Sequence, residues 1–384
     1  MEFLPLLQSI GGSDNPLLDS RLIVARALRR YQNAIQWIES ELKPDTRIAD
    51  TLQGLSDEGR MFLFRSGPLR SYVDRICSLL YSTVENDRQL ANEWHGRLAS
   101  IVIKASDESS GAKDETNRLS QIGFDISNPL SDPYPVVVSS WDPPVSNSWS
   151  ESAELDALFN EYMALGVGVE RCALRSMNSA QKQMIEKSIA FLFQLEPTAA
   201  YDVVLNVRHF CLFDYSRWPS MSDSDYREVG QSVSSHLVPN ACFISGYSLA
   251  AFNRCAESIY HEALHKKLSN LFVTDSIVSD DFDTSVAPSF LSYWNKNTEW
   301  NSNLWGFDRA LYAFHVYAHL FVFYGAAIET GQDEILGKQW SLNRHHVSRE
   351  RADAIGSWLR QEGWDHLGES GRELVNVLSS TLHN

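Results

Sequence analysis

Residues 248–272 read SLAAFNRCAESIYHEALHKKLSNLF, and within them His261-Glu262-Ala263-Leu264-His265 forms an H-E-x-x-H run. The surroundings predict a helix, with Ser248 as its N-cap after Gly246. Residues four apart on a helix differ by about 40° in azimuth and sit one turn apart. His261 and His265 therefore project from one face, and two imidazoles so placed can hold one metal ion. Glu262 stands about 100° round from His261, within reach of a water or another partner near that ion. His261, Leu264, His265, Leu268 and Phe272 share the face expected to look inward, with Lys266 and Lys267 off it. The competing account makes both histidines core residues bonded to backbone groups. The helical context and two histidines farther along the chain favour the metal.

Composition bounds the class. The chain has 384 residues, 43% hydrophobic and 21% charged, ordinary for a globular protein. Its length admits two or three domains, or one large domain with an N-terminal extension. A net charge of −16 argues against general nucleic-acid binding, which needs a basic surface. It leaves room for a local basic groove that takes an acidic peptide. No run approaches the apolar length of a membrane span, so no membrane partner is expected. Met1 to Ile10 carries neither a basic start nor an A-x-A-like site, which predicts a cytoplasmic protein without a signal peptide. Cys77, Cys172, Cys211, Cys242 and Cys255 are scattered, odd in number and without C-x-x-C spacing. They read as thiols of a reducing compartment.

The expected fold is mainly α, an α-rich α+β arrangement. A helical N-terminal region (1–118) precedes a Pro/Ser-rich extended connection (119–150) and a metal-binding catalytic domain (151–384). Apolar spacing predicts helices over 17–42, 51–64, 69–81 and 87–103, then a polar loop from Ala105 to Arg118. Val136-Val137-Val138 is a strand candidate among prolines. Further helices are predicted over 151–165 and 179–195, the second halted by Pro197. Tyr201 to Phe213 is β-branched and aromatic and predicts a strand, at least in part. Asn240 to Ser245 predicts another, ending where the H-E-x-x-H helix begins. A strand leading into a metal-binding helix is similar to a zincin core, where an edge strand can bind an extended peptide across the cleft. Val273 to Asn303 reads as a long loop over the site. The closing helices are expected over 304–328, 347–360 and 371–382, with His345-His346 in a polar turn and Glu329 a solvated charge.

A catalytic metal wants three protein ligands and open positions for water or substrate. The helix at 304–328 offers His315 and His319, again four apart. Either could be the third ligand, and the other a candidate to orient a ligand from behind or a packed core histidine. Three neutral imidazoles suit zinc or ferrous iron, and spacing does not choose between them. With zinc, Glu262 would serve as general base in metal-assisted hydrolysis, the chemistry of a metallopeptidase. A third possibility is a peptide-binding protein whose metal is structural.

Several stretches resemble the H-E-x-x-H-type peptide β-hydroxylases that modify ribosomally made peptides. They are Ala256 to Leu268, the approach Trp305-Gly306-Phe307-Asp308-Arg309 leading to Tyr317-Ala318-His319, Glu350-Arg351-Ala352-Asp353-Ala354, and Gly371-Arg372-Glu373-Leu374. All lie in the C-terminal third, and their order is more specific than any one of them. The resemblance implies ferrous iron, 2-oxoglutarate as cosubstrate, and hydroxylation of a side-chain β-carbon in a precursor peptide. It carries the metal ligands to His261, His265 and His319. No Pro precedes Trp305 and the spacing from Arg309 to His319 is compressed, so the cosubstrate role comes to Arg309 only as first candidate. Arg344, Arg349 and Arg351 follow it. Under this reading Glu262 orients substrate or a ligand.

Overall fold

The computed structural model describes residues 2–11, 15–44, 47–55, 60, 63, 65–82, 84, 86–109, 118–123, 135–140, 151–166, 172–215, 232–234, 238–298 and 302–383. The architecture is mainly helical with a few short strands. Among the described residues the helices α1 (Phe3–Gly11), α2 (Ser20–Leu42), α3 (Ile48–Gly54), α4 (Gly67–Tyr81) and α5 (Asp87–Ser109) come first. Strands β1 (Arg118–Gly123) and β2 (Pro135–Ser140) lead to helix α6 (Glu151–Gly166) and strand β3 (Cys172–Arg175). Helices α7 (Ser179–Leu195) and α8 (Pro197–Asn206) precede strands β4 (His209–Tyr215), β5 (Ser232–Val233) and β6 (Ala241–Ser245). A single turn, α9 (Gly246–Leu249), then opens onto the long helix α10 (Phe252–Thr274). A small hairpin, β7 (Phe290–Leu291) with β8 (Leu304–Trp305), precedes α11 (Phe307–Glu329). The chain closes with α12 (Asp333–Leu336), α13 (Lys338–Gln361) and α14 (Glu369–His383).

The main sheet runs β1-β2-β4-β6-β5. Strands β2, β4 and β6 are parallel, and β5 is antiparallel to β6 at the end of that path. β2 meets the first two residues of β4 and β3 meets the last four. Strand side chains alternate between faces, and both faces here are covered. Cys211, Phe213, Ala241 and Phe243 pack against Leu155, Leu158 and Phe159 of α6. Phe210, Leu212, Cys242 and Ile244 join the large core formed by the other helices. Every residue of β6 is buried, the pattern of a parallel strand covered on both sides.

That large core is continuous from Leu7 and Ile10 of α1 through α2, α4 and α5 to Leu382 of α14. The described helices before residue 118 thus share one core with the H-E-x-x-H helix. Arg70 of α4 donates to Asn270 Oδ1 of α10 at 2.6 Å and to Asn240 Oδ1 at 2.9 Å, all three side chains being buried. Asn240 has φ 58°, a left-handed conformation that Asn tolerates better than most residues.

Several expectations change. The strand predicted from Tyr201 begins only at His209, because Tyr201 to Asn206 lies in α8. Pro197 starts that helix, and Glu196 Oε1 accepts from the Thr198 backbone N–H at 3.4 Å. Burial from Ala199 onward lets the helix tolerate Val203 and Val204. The loop predicted from Ala105 starts later, since α5 runs to Ser109. Ser248 caps nothing long: it sits inside α9, and α10 starts after Ala251 without a side-chain cap. His345 and His346 lie within α13, not in a turn, and the His345 ring stacks on Phe321 at 4.6 Å. Glu329 is not merely solvated; its Oε2 accepts from the backbone N–H groups of Phe3 and Leu4 at 2.7 and 2.9 Å and caps α1. Lys266 and Lys267 are buried, because α10 is surrounded on nearly every side. By length and composition α11 is apolar enough to cross a membrane, and 78% of that stretch is buried inside the protein. It is a core helix packed against α10, α13, α14 and α1.

Candidate metal centre

Helix α10 delivers the expected pair. His261 Nε2 and His265 Nε2 lie 3.1 Å apart. Two nitrogens bound to one ion at ~2.0–2.1 Å, at angles between right and tetrahedral, lie ~2.8–3.4 Å apart. The two imidazoles therefore fit adjacent positions on a single ion. His261 keeps 29% of its side chain exposed, so the pair opens outward at that residue. Burial, then the neighbouring His261, push His265 down to about 3. Its ring is neutral at physiological pH, the form that ligates.

Glu262 is buried beside them. Its Oε1 lies 4.0 Å from His261 Nε2 and accepts a 2.7 Å hydrogen bond from Ser232 Oγ of β5. Burial pushes this carboxyl up, but the two imidazoles and hydrogen bonds from Ser232 and Ser234 outweigh it, so the net shift is downward. A carboxylate held this way is ionised at neutral pH. Strand β5 thus orients the glutamate of the motif.

Helix α11 lies against α10. The Tyr312 ring is 5.6 Å from that of His265, and its hydroxyl is 3.0 Å from Ser269 Oγ. His315 is fully buried, and neither ring nitrogen has a hydrogen-bond partner among the described residues. Burial, then His319, Lys267 and His265, hold its pKa well below the usual range. His319 is also fully buried; its Nδ1–H donates to the His315 carbonyl at 2.8 Å. Burial, then Lys267, push it down to about 3. The two α11 rings are 4.3 Å apart. Lys267 acts on both rings, and of the two only His315 is also acted on by His265. Among the described residues no set of three or more His, Cys, Asp or Glu side chains is gathered closely enough to hold an ion. The residues present fit two ligands, and the α11 histidines stand behind them.

Arg309 lies over the Trp305 ring at 4.6 Å, and its charge is felt with those of Asp308, Tyr317 and Tyr162 of α6. On α11 it stands about 120° from His315. The arginines that follow it have these protein partners. Arg344 Nε donates to Glu257 Oε2 at 2.7 Å and a second nitrogen reaches Oε1. Arg351 donates to the Tyr317 hydroxyl at 2.9 Å, and Arg349 lies over Phe321.

Sequence reading passed over Ser232, Tyr312 and the buried pair Lys267–Asp202. Ser232 lies in a two-residue strand with no periodicity to mark it. Asp202 sat in a stretch read as a strand, where its pairing to a lysine 65 positions away has no local signal. His236 lies outside the described residues.

No family model matches this chain, and neither does any curated protein.

Proposed function

We propose that this protein is an Fe(II)- and 2-oxoglutarate-dependent dioxygenase that hydroxylates a side-chain β-carbon of a ribosomally synthesised precursor peptide. The observation that carries the metal part of this reading is the 3.1 Å convergence of His261 Nε2 and His265 Nε2 beside an ionised Glu262. Iron, the cosubstrate and the peptide rest on the resemblance of the C-terminal stretches quoted above.

His261 and His265 would hold the ion, with the third position proposed for α11, where His319 is the ligand of the resemblance and His315 its orienting neighbour. Bound ferrous iron with 2-oxoglutarate supplies an oxidant from dioxygen. Arg309 is the first candidate to neutralise the far carboxylate of the cosubstrate. Glu262, fixed by Ser232, would orient substrate or a ligand. Strand β5 carries Ser232 at the end of the described sheet path, so an extended peptide pairing along that side would pass the two histidines.

One observation favours a second reading. An ionised carboxylate 4.0 Å from a metal-facing nitrogen also suits the general base of a zinc metallopeptidase.

The test is anaerobic loading with Fe(II) or Zn(II), then mass spectrometry of a candidate precursor peptide with and without 2-oxoglutarate. A gain of about 16 Da that requires 2-oxoglutarate, oxygen entering at an open iron position, supports the hydroxylase. Glu262→Gln should then keep metal and still form succinate. Cleaved peptide, no need for 2-oxoglutarate and a dead Glu262→Gln protein would replace it with the peptidase.

A further inference from the structure

A pocket of about 450 Å³ lies between α4, α5 and α6, with no lining residue from α10 or α11. Its volume falls in the ~300–1,000 Å³ range of sites that take a ligand of many heavy atoms. Trp94 of α5 forms one wall, with the Tyr72 ring of α4 tilted against it at 5.0 Å. Ile101 and Leu158 extend the apolar lining. Two guanidinium groups lie over Trp94, Arg75 at 5.1 Å and Arg97 at 4.9 Å.

The charges in this pocket are not equally committed. Arg75 pairs with Glu161 Oε2 at 2.6 Å, and the Tyr72 hydroxyl donates to Glu154. Arg97 is stacked on the indole but makes no ion pair or hydrogen bond among the described residues. Stacking fixes the plane of a guanidinium while leaving its N–H edge free to bind a carboxylate. The lining carries two arginines and two glutamates; with Arg75 paired to Glu161 and Glu154 held by the Tyr72 hydroxyl, Arg97 is the cation placed over the aromatic wall to meet an incoming anion.

We propose that this pocket recognises an acidic side chain of the peptide substrate, with Arg97 binding the carboxylate and Trp94 and Tyr72 packing its apolar neighbours. A free dicarboxylate would meet Arg97 but leave the apolar wall bare, whereas a carboxylate flanked by apolar residues uses both. Two contact points on one peptide raise its effective concentration at the metal helix without new contacts there. That the ligand is the enzyme's substrate rests on the function proposed above; the carboxylate preference does not.

The test is calorimetric binding to the full chain of acetyl-Leu-Glu-Leu-amide, its Gln analogue and glutarate, with the Trp94 indole N–H resonance reporting the location. The Glu peptide is expected to bind and shift that resonance, assigned by its absence in Trp94→Phe. The Gln analogue, and the Glu peptide on Arg97→Gln, should each bind at least tenfold more weakly. Equal affinity for the Glu and Gln peptides, no effect of Arg97→Gln, or no binding would overturn the site. Glutarate binding as tightly as the peptide would make it a small-molecule site and overturn the peptide assignment. A protein that binds here yet never oxygenates a peptide would leave this site standing and remove only the hydroxylase reading.

Discussion

Lys267 Nζ donates to Asp202 Oδ1 at 2.8 Å in a part of the core where neither side chain is more than 1% exposed. Lys267 lies on α10, two residues past His265, and the pair ties α10 to α8. Ser20 Oγ of α2 donates to the same Asp202 oxygen at 2.6 Å, and Asn206 Nδ2 donates to Ser20 Oγ at 2.8 Å. Removing one partner of a buried pair leaves the other charge unpaired, which costs about 3–5 kcal/mol. Lys267→Met should lower stability by that amount, and Lys267→Met with Asp202→Leu should recover much of it. Urea unfolding of the two single variants and the double variant measures the coupling. Additive losses would show that the pair does not act as a unit.

The two α10 histidines should dominate metal uptake. His261→Ala and His265→Ala are each expected to abolish or severely reduce binding, since each removes one of few ligands from an open site. His319→Ala should do the same if α11 completes the site as the resemblance implies. Metal content by plasma mass spectrometry decides this. Full metal in His319→Ala with loss in His315→Ala would move the third position to His315.

Acid should destabilise the metal-free protein before ordinary carboxylate titration does. His265 and His319 are held down to about 3, against 6.5 for an unstrained imidazole. Between those values the unfolded chain binds more protons than the folded one, so stability rises with pH and is lost on acidification. His315 acts in the same direction. Burial raises Asp74, Asp156 and Asp202, which act oppositely, while burial lowers His95 and His345, which add to the histidine side. The melting temperature should fall steadily from pH 6.5 to 5, and His319→Phe should shallow that slope. A flat profile would contradict neutral buried imidazoles.

Gly371 should not tolerate a side chain. A Cβ there would lie 1.9 Å from the Ile277 carbonyl oxygen, which is backbone and cannot swing aside. Its own N–H donates to the Ser276 carbonyl at 3.2 Å and holds the start of α14 to the segment after α10. Gly371→Ala is expected to cost about 1–3 kcal/mol, the range for overpacking. Gly54→Ala, which meets open space, serves as the control and should leave the melting temperature within a degree or two.

Phe3 and Leu4 should exchange their amide hydrogens faster in Glu329→Gln. The carboxylate accepts from both N–H groups at the start of α1, and a charge at a helix N-terminus is worth roughly 0.3–1 kcal/mol more than a neutral acceptor. Unchanged protection of these two amides would show that α1 is held by packing alone, through Phe3 against Phe321 at 5.3 Å.

Local pattern determined most of the long helices, the strand at 241–245 and the convergence of His261 with His265, because helical periodicity alone places residues four apart on one face. Only the tertiary structure decided what surrounds these elements. A periodic reading assigns each helix a wet face and a dry face. Helix α10 has almost no wet face, since α2, α7, α8 and α11 pack around it, so Lys266 and Lys267 went inside with partners far away in sequence. The same cause turned Tyr201 to Asn206 into helix, gave Glu329 a role as a cap and placed Ser232 on Glu262. Each depends on a neighbour 30 to 326 positions away, and no local spacing encodes such a distance.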